Sequence, residues 1–381
     1  MSLACIAMLL FQTGAVAEID RAVADGISAG AYPGAAVVIG TGDTVLLAKG
    51  YGHLTYSTAS RIPSADSTLY DLASLTKVVA TTAAVMRLVD RGLLDLASPV
   101  QHYLPDFVGD GKELVTVRLL LEHRSGLRAF LPLNELSSTP AEARHLVVTE
   151  PLRWAAGSRV EYSDLSSMLL GWIVESVSGM SLDEFAAQEV FRPVGMTQTG
   201  FKPSRDRIPL MAPVGLWRGH VIAGELHDQN AVRLGGVSGH AGLYSTGLDL
   251  GRYAQVYLNW GATASGAQLF RPETVSLFTR RGLGNRALGW EMRDTTDVAN
   301  AGALLSSSAF GHGGYTGTSI WIDPERDLFV VILTNRVFAP RTSRSISMLK
   351  AVRARVADAA VALTAEECSS VVIGAKTKRR C

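Results

Sequence analysis

The chain has 381 residues, 47% of them apolar and 19% charged, with a formal net charge of +1. This composition supports a sizeable core and excludes a disordered chain, and the near-neutral charge offers no basic field for nucleic acid. No apolar run reaches membrane-spanning length, and the three cysteines, Cys5, Cys368 and Cys381, sit at the chain ends, leaving no disulfide framework in the body.

In chain order, Leu3–Phe11 is a short apolar run followed by Ala15-Val16-Ala17, an A-x-A cleavage pattern. Residues 1–17 therefore read as a secretory signal peptide, which predicts a periplasmic or secreted protein. Ile19, Val23 and Ile27 recur at helical spacing. Ala35–Gly40 and Thr44–Lys49 flank a Thr-Gly-Asp turn and predict a hairpin. After a polar loop, Val78, Val85, Leu88 and Val89 mark a helix that Gly92 ends. Residues 93–122 predict short helices and loops. Ser163–Gly179 carries Leu165, Met168, Leu169, Trp172 and Ile173 on one side, and Ser181-Leu182-Asp183-Glu184 is a capping box. Gly235–Gly247 is glycine-dense and holds His240, and a helix follows from about Leu248 to Trp260. Thr318–Ile322 and Leu328–Leu333 predict a second hairpin. Ile346, Leu349, Val352 and Val356 mark the last helix, and the polar tail, residues 364–381, reads as disordered.

Strands thus occur at both ends of the chain and helices fill the middle. The expected class is α/β in the α+β sense: one antiparallel sheet flanked by helices, with an inserted, mainly helical region. The domain would span residues 18–363, its sheet part about 18–70 and 285–363 and its helical part about 71–284. A cleft between the parts is the natural place for a site.

Within the first long helix, Ser74-Leu75-Thr76-Lys77 places a serine and a lysine on one face. A helix N-terminus and burial both disfavour an ammonium, and a neutral lysine can take the proton of a neighbouring hydroxyl. A second S-x-x-K, Ser347 to Lys350, lies in the last helix and reads as chance. Tyr162-Ser163-Asp164 opens the Leu165 helix. A tyrosine beside an ammonium can act as base or proton shuttle, and Asp164 can hold Lys77. Without that chemistry, the segment is a packed tyrosine and a helix cap. Gly311-His312-Gly313-Gly314-Tyr315-Thr316-Gly317 precedes a strand, where glycines admit a substrate to the backbone and the Tyr315 and Ser74 amides can form an oxyanion hole. His312 would contact the substrate or share a proton with Tyr162.

Other chemistries lack their motifs. No H-E-x-x-H or C-x-x-C pair occurs among the eight histidines and three cysteines. His220, His227, Asp228, His240 and His312 can converge, yet hydrogen-bonded histidines in a polar cleft account for them, with His227, Asp228 and His240 bracing the glycine-rich loop. Phosphate loops and a G-x-S-x-G elbow are absent. No metal and no cofactor is expected.

Taken in order, these motifs resemble the serine β-lactamase-related superfamily, which includes class C β-lactamases, D-Ala-D-Ala carboxypeptidases and related esterases. Its S-x-x-K, Y-x-N and K-T-G motifs match Ser74–Lys77, Tyr162–Asp164 and His312–Gly314, over roughly Ile19 to Val356. The L-x-H-x-S-G-L pattern within Leu120–Leu127 recurs in that group. Tyr70–Ser74, His227-Asp228 and Gly235–Leu243 look most similar to the penicillin-binding protein 4B branch of periplasmic esterases and small penicillin-binding proteins. The resemblance implies a Ser74 acyl-enzyme formed with Lys77 and Tyr162, with Asp164, His312, Gly313, Gly314 and Tyr315 in the substrate and oxyanion site. The expected substrate is a small ester or a cell-wall peptide. Asp164 replaces an asparagine, His312 a lysine and Gly313 a threonine. A neutral histidine holds a carboxylate less well than lysine does, which points to an esterase first, with a carboxypeptidase or a weak β-lactamase next. A non-catalytic binding protein on the same scaffold is the remaining reading. Oligomeric state is left open.

Overall fold

A computed structural model describes residues 3–297 and 300–371, with side chains from 14 to 297 and 300 to 364. Six strands form one antiparallel sheet: β1 (Gly34–Gly40), β2 (Val45–Gly52), β3 (Glu291–Met292), β4 (Phe310–Gly313), β5 (Ser319–Asp323) and β6 (Leu328–Thr334). Their order is β2-β1-β6-β5-β4-β3. The two expected hairpins, β1–β2 and β5–β6, meet edge to edge, with Ala35 opposite Thr334 and Gly40 opposite Phe329.

Every residue of β1 and of β6 is buried, because helices cover both faces of the sheet. Ala35, Val37, Ile39, Val330 and Ile332 face α1 (Leu3–Ser28) and the last helix, Ser345–Val371. Ala36, Val38, Phe329, Val331 and Leu333 face the other core, which runs without a break into the helical middle of the chain. The two-residue alternation of strand side chains produces this division. Arg355 on the last helix bonds Glu18 and Asp25 on α1.

In the middle, α2 is Ala83–Asp90, α3 is Val117–Leu121, α4 is Asp164–Ser178 and α5 is Gln229–Arg233; α6 (Gly247–Leu258) then returns to the sheet. Ser163 caps α4 by accepting the Ser166 amide, and the Ser181 capping box is present. A small sheet joins Tyr70–Asp71, Leu243–Ser245 and Gly200–Phe201, setting the glycine-rich loop beside the start of the S-x-x-K segment.

One expectation needs revision at the C-terminal end. The last helix, α7, continues to Val371, so residues 364–371 are helical rather than disordered; residues 372–381 lie outside the described residues. Ala15-Val16-Ala17 lies inside α1, with Ala15 buried against the sheet, while the side chains of the Leu3–Phe11 run fall outside the described set. Among the described residues, no single helix is long and apolar enough to cross a membrane.

Candidate active site

Ser74 does not start a regular helix. It sits in a tight 3-10 turn, Ala73–Leu75, followed by a π-helical stretch, Lys77–Thr82, before α2 begins. Ala73 holds φ +47°, a conformation costly for a residue with a Cβ. Asp71 holds that turn: its carboxylate accepts the Ala73 amide at 2.9 Å and, from the other side, the His227 amide at 2.9 Å. Burial raises the Asp71 carboxyl to about 6, against these two bonds.

Lys77 is buried, and its Nζ lies within reach of three acceptors: Ser74 Oγ at 3.0 Å, the His240 carbonyl at 3.1 Å and Asp164 Oδ1 at 2.8 Å. Burial alone would pull the ammonium down. The Asp164 carboxylate, with a contribution from Tyr162, outweighs burial and holds Lys77 well above the usual lysine range. The neutral lysine expected from helix position and burial is therefore corrected. Lys77 is an ammonium that donates to Ser74 Oγ and the His240 carbonyl and pairs with Asp164, so it orients the serine oxygen and has no lone pair to receive its proton.

Tyr162 lies opposite, with Lys77 Nζ 5.0 Å from its ring centroid. His123, which the sequence placed in a motif without a role, positions it. The His123 carbonyl accepts the Glu161 amide at 2.8 Å, and its Nδ1 accepts the Ser163 amide at 3.1 Å, so the residues on both sides of Tyr162 are tied to one histidine. The His123 ring centroid lies 4.6 Å from that of Tyr162. Burial, then the positive charges of Arg286 and Lys77, hold His123 well below the usual histidine range, as its acceptor role requires.

The strand side of the cleft is β4 and the turn after it. Gly314 is required there: a Cβ would come within 2.2 Å of Thr318 Oγ1 and 2.4 Å of the Leu72 carbonyl. Thr316 and Thr318 donate to the carbonyls of Asp71 and Leu72 at 2.7 and 2.9 Å, latching this turn to the chain just before Ser74. Tyr315 projects from the turn, exposed, with its ring against His227. Gly313 adjoins the Arg353 guanidinium.

His312 is buried with its ring 5.9 Å from Tyr162. Its Nδ1 lies 2.9 Å from the Gly313 carbonyl, which can only accept, so Nδ1 carries the proton and Nε2 offers a lone pair. That Nε2 is buried without a partner. Burial, then the charges of Lys77 and Arg286, push His312 down to about 3. The residue in the place of the family lysine is thus uncharged.

A cation is present all the same. Arg286 reaches in from the loop before β3, its guanidinium 5.3 Å from the Tyr162 ring centroid and its buried Nε unpartnered. No motif in the sequence marks it.

Among the described residues no group of three or more metal-ligating side chains converges. Asp228 caps α5 and accepts from His240 Nε2 at 3.1 Å, while Ser238 Oγ and His240 Nδ1 lie 2.8 Å apart. The chain braces the loop whose His240 carbonyl holds Lys77. Close packing fixes it further, since a Cβ on Gly239 would lie 1.9 Å from the Ser167 carbonyl.

The Beta-lactamase family model matches residues 19–353. The chain is 33% identical over 374 residues to N-acetylmuramyl-L-alanine amidase of Bacillus subtilis (strain 168), covering 87% of this chain and 83% of that one. It is 32% identical over 366 residues to an Escherichia coli (strain K12) protein provisionally named D-alanyl-D-alanine carboxypeptidase, covering 85% and 82%. In fold it is similar to a class C beta lactamase (TM-score 0.72, 19% identity, covering 91% and 98%). It is similar also to EstCE1, a hydrolase with promiscuous acyltransferase activity (TM-score 0.71, 20% identity, covering 90% and 99%). With that match across the body of the chain, and with the S-x-x-K serine and lysine in contact, the protein belongs to the Beta-lactamase family and is a hydrolase of that family.

Proposed function

We propose that this protein is a serine hydrolase that cleaves a peptide amide next to a carboxylate, as a cell-wall carboxypeptidase or amidase does. Ser74 Oγ bonds to the scissile carbonyl carbon as its proton passes to the Tyr162 oxygen and the Tyr162 hydroxyl proton passes to the scissile nitrogen. The C–N bond then breaks and releases the amine. Water cleaves the acyl-enzyme by the same relay. Lys77, held as an ammonium by Asp164, keeps Ser74 Oγ in place, and the Ser74 and Tyr315 amides receive the oxyanion. Asp164, His312, Gly313 and Gly314 frame the substrate.

The observation that carries the substrate class is Arg286. The Arg286 guanidinium beside Tyr162, which makes no ion pair among the described residues, supplies the positive charge that His312 lacks, and a guanidinium pairs with a carboxylate in two parallel bonds. The relatives named as an amidase and a carboxypeptidase agree with this reading. A second reading, an esterase for neutral acyl groups, rests on the uncharged His312. A cell-wall substrate implies action outside the cytoplasm, and the mass of the mature N-terminus would test cleavage before Glu18.

The deciding experiment is intact-mass spectrometry after incubation with a penicillin, alongside D-alanine release from a peptide ending in D-Ala-D-Ala and turnover of a p-nitrophenyl ester. A lasting adduct on Ser74 with D-alanine release supports the peptidase. Fast ester turnover without an adduct supports the esterase, and no reaction with any of them removes both.

A further inference from the structure

Beside the Tyr162 edge of the cleft lies a groove of about 380 Å3. Arg128, Ala129, Phe130, Arg153, Trp154, Arg159 and Glu161 line it. It is built by the hydrogen bonds that hold the site. The Gly126 carbonyl accepts the Arg153 amide, the Ala129 carbonyl accepts the Asp164 amide, and Ser163 Oγ donates to the Arg128 carbonyl. Groove and catalytic edge therefore share two chain segments, 126–130 and 161–164.

The charges in the groove do not cancel. Arg128 is paired with Glu150, and Arg159 with Glu161 at 2.7 Å. Arg159 also lies over the Trp154 ring, 4.3 Å from its centroid. Arg153 is exposed and, among the described residues, makes no ion pair. Two large apolar side chains are exposed beside it, Phe130 at 52% and Trp154 at 43%. An open guanidinium sharing a groove with two exposed aromatic side chains fits a ligand with a carboxylate on an apolar or amide-rich body, where the aromatics pack on the body and the arginine takes the charge.

We infer that this groove is a substrate subsite for an acidic peptide segment extending from the scissile bond, with Arg153 receiving a side-chain carboxylate and Trp154 and Phe130 packing on the peptide. The inference rests on the hydrolase reading for its purpose, and its physical content is a binding preference that needs no catalysis.

The test is calorimetric titration of the Ser74→Ala protein with a pentapeptide carrying two glutamates and with its glutamine counterpart. The glutamate peptide should bind about tenfold tighter, the worth of one charge-assisted pair. Adding Arg153→Glu should bring the two affinities together, Arg153→Lys should keep most of the preference, and Trp154→Ala should weaken both peptides. Equal affinities in Ser74→Ala, binding of neither peptide, or a preference unmoved by Arg153→Glu would overturn the subsite. Labelling of the wild-type protein by a fluorophosphonate reads the hydrolase reading separately. Absence of a Ser74 adduct there would remove that reading and leave the titration result standing.

Discussion

The two sides of the cleft differ in how their polar groups are satisfied. On the nucleophile side, Lys77 has three acceptors, Asp228, His240 and Ser238 form a closed chain, and Asp71 receives two amides. On the facing side, His312 Nε2 and Arg286 Nε are buried and unpartnered, and Arg153 stands open at the rim. A buried polar group without a partner costs about 1–3 kcal/mol, so such groups persist where a ligand will complete them. The first side is built to hold one geometry, and the second to receive something. The electrostatics follow the same division: Lys77 is paired with Asp164, while Arg286, over the Tyr162 ring, makes no ion pair among the described residues.

This contrast can be broken most severely at the serine. Ser74→Ala should lower kcat by about a thousandfold or more and remove all covalent labelling while leaving the fold intact; mass spectrometry reads it directly. Asp164→Ala attacks the satisfied side and strands a buried ammonium. It should cost about 3 kcal/mol of stability as well as activity, seen as a lower urea midpoint. A stable, active Asp164→Ala protein would show that the pair is not what holds Lys77. Arg286→Ala attacks the receiving side. It should cost about 1.5–3 kcal/mol of binding for a carboxylate-bearing peptide, mainly in KM, with stability nearly unchanged and a neutral ester barely affected. A loss in kcat alone, equal for both substrates, would assign Arg286 to the chemistry instead.

The smallest effect is on pH dependence. His312 ionises near 3 when folded and near 6.5 when unfolded. Between those values the unfolded chain binds a proton that the folded chain refuses, so stability rises as pH rises and is lost as pH falls below 6.5. His123 acts in the same direction. Asp71 opposes both from 3.8 to about 6, because its folded carboxyl takes the proton first. His227 adds to the histidine side, while the raised Glu175 and Asp249 carboxyls add to Asp71, so the share of His312 is read by difference. Replacing His312 by asparagine removes one group that takes a proton only on unfolding and should lower the slope of stability against pH between about 4.5 and 5.5, measured by urea unfolding at three pH values.

The candidate motifs were legible because each is carried by nearby residues in the chain. Ser74 with Lys77, Tyr162 with Asp164, and His312 with Gly314 each need only a turn to set their spacing. The hairpins and the Ser163 and Ser181 caps were legible for the same reason. The charge of Lys77 was not, since helix position and burial both argue for a neutral amine. The deciding group, Asp164, arrives from another helix at 2.8 Å. Arg286 was invisible because a lone arginine in a loop has no periodicity, and only the fold brings it over Tyr162. His123 was visible as part of a pattern but not as a clamp, which depends on its accepting from the Ser163 backbone. The esterase and peptidase readings rest on different residues, His312 and Arg286, and only the first lies in a motif.

The register between β1 and β6 has a consequence for synthesis. Ala35 pairs with Thr334, so one of the first strands to leave the ribosome waits for one of the last. At about 5–20 residues per second, that wait lasts roughly 15–60 s. Until then β1 has no neighbour on that edge, and the turn that latches onto Leu72 has not been made. Ser74 is thus translated early but its surroundings are assembled late, and an interrupted chain ending before β4 carries it without the turn that latches onto Asp71 and Leu72.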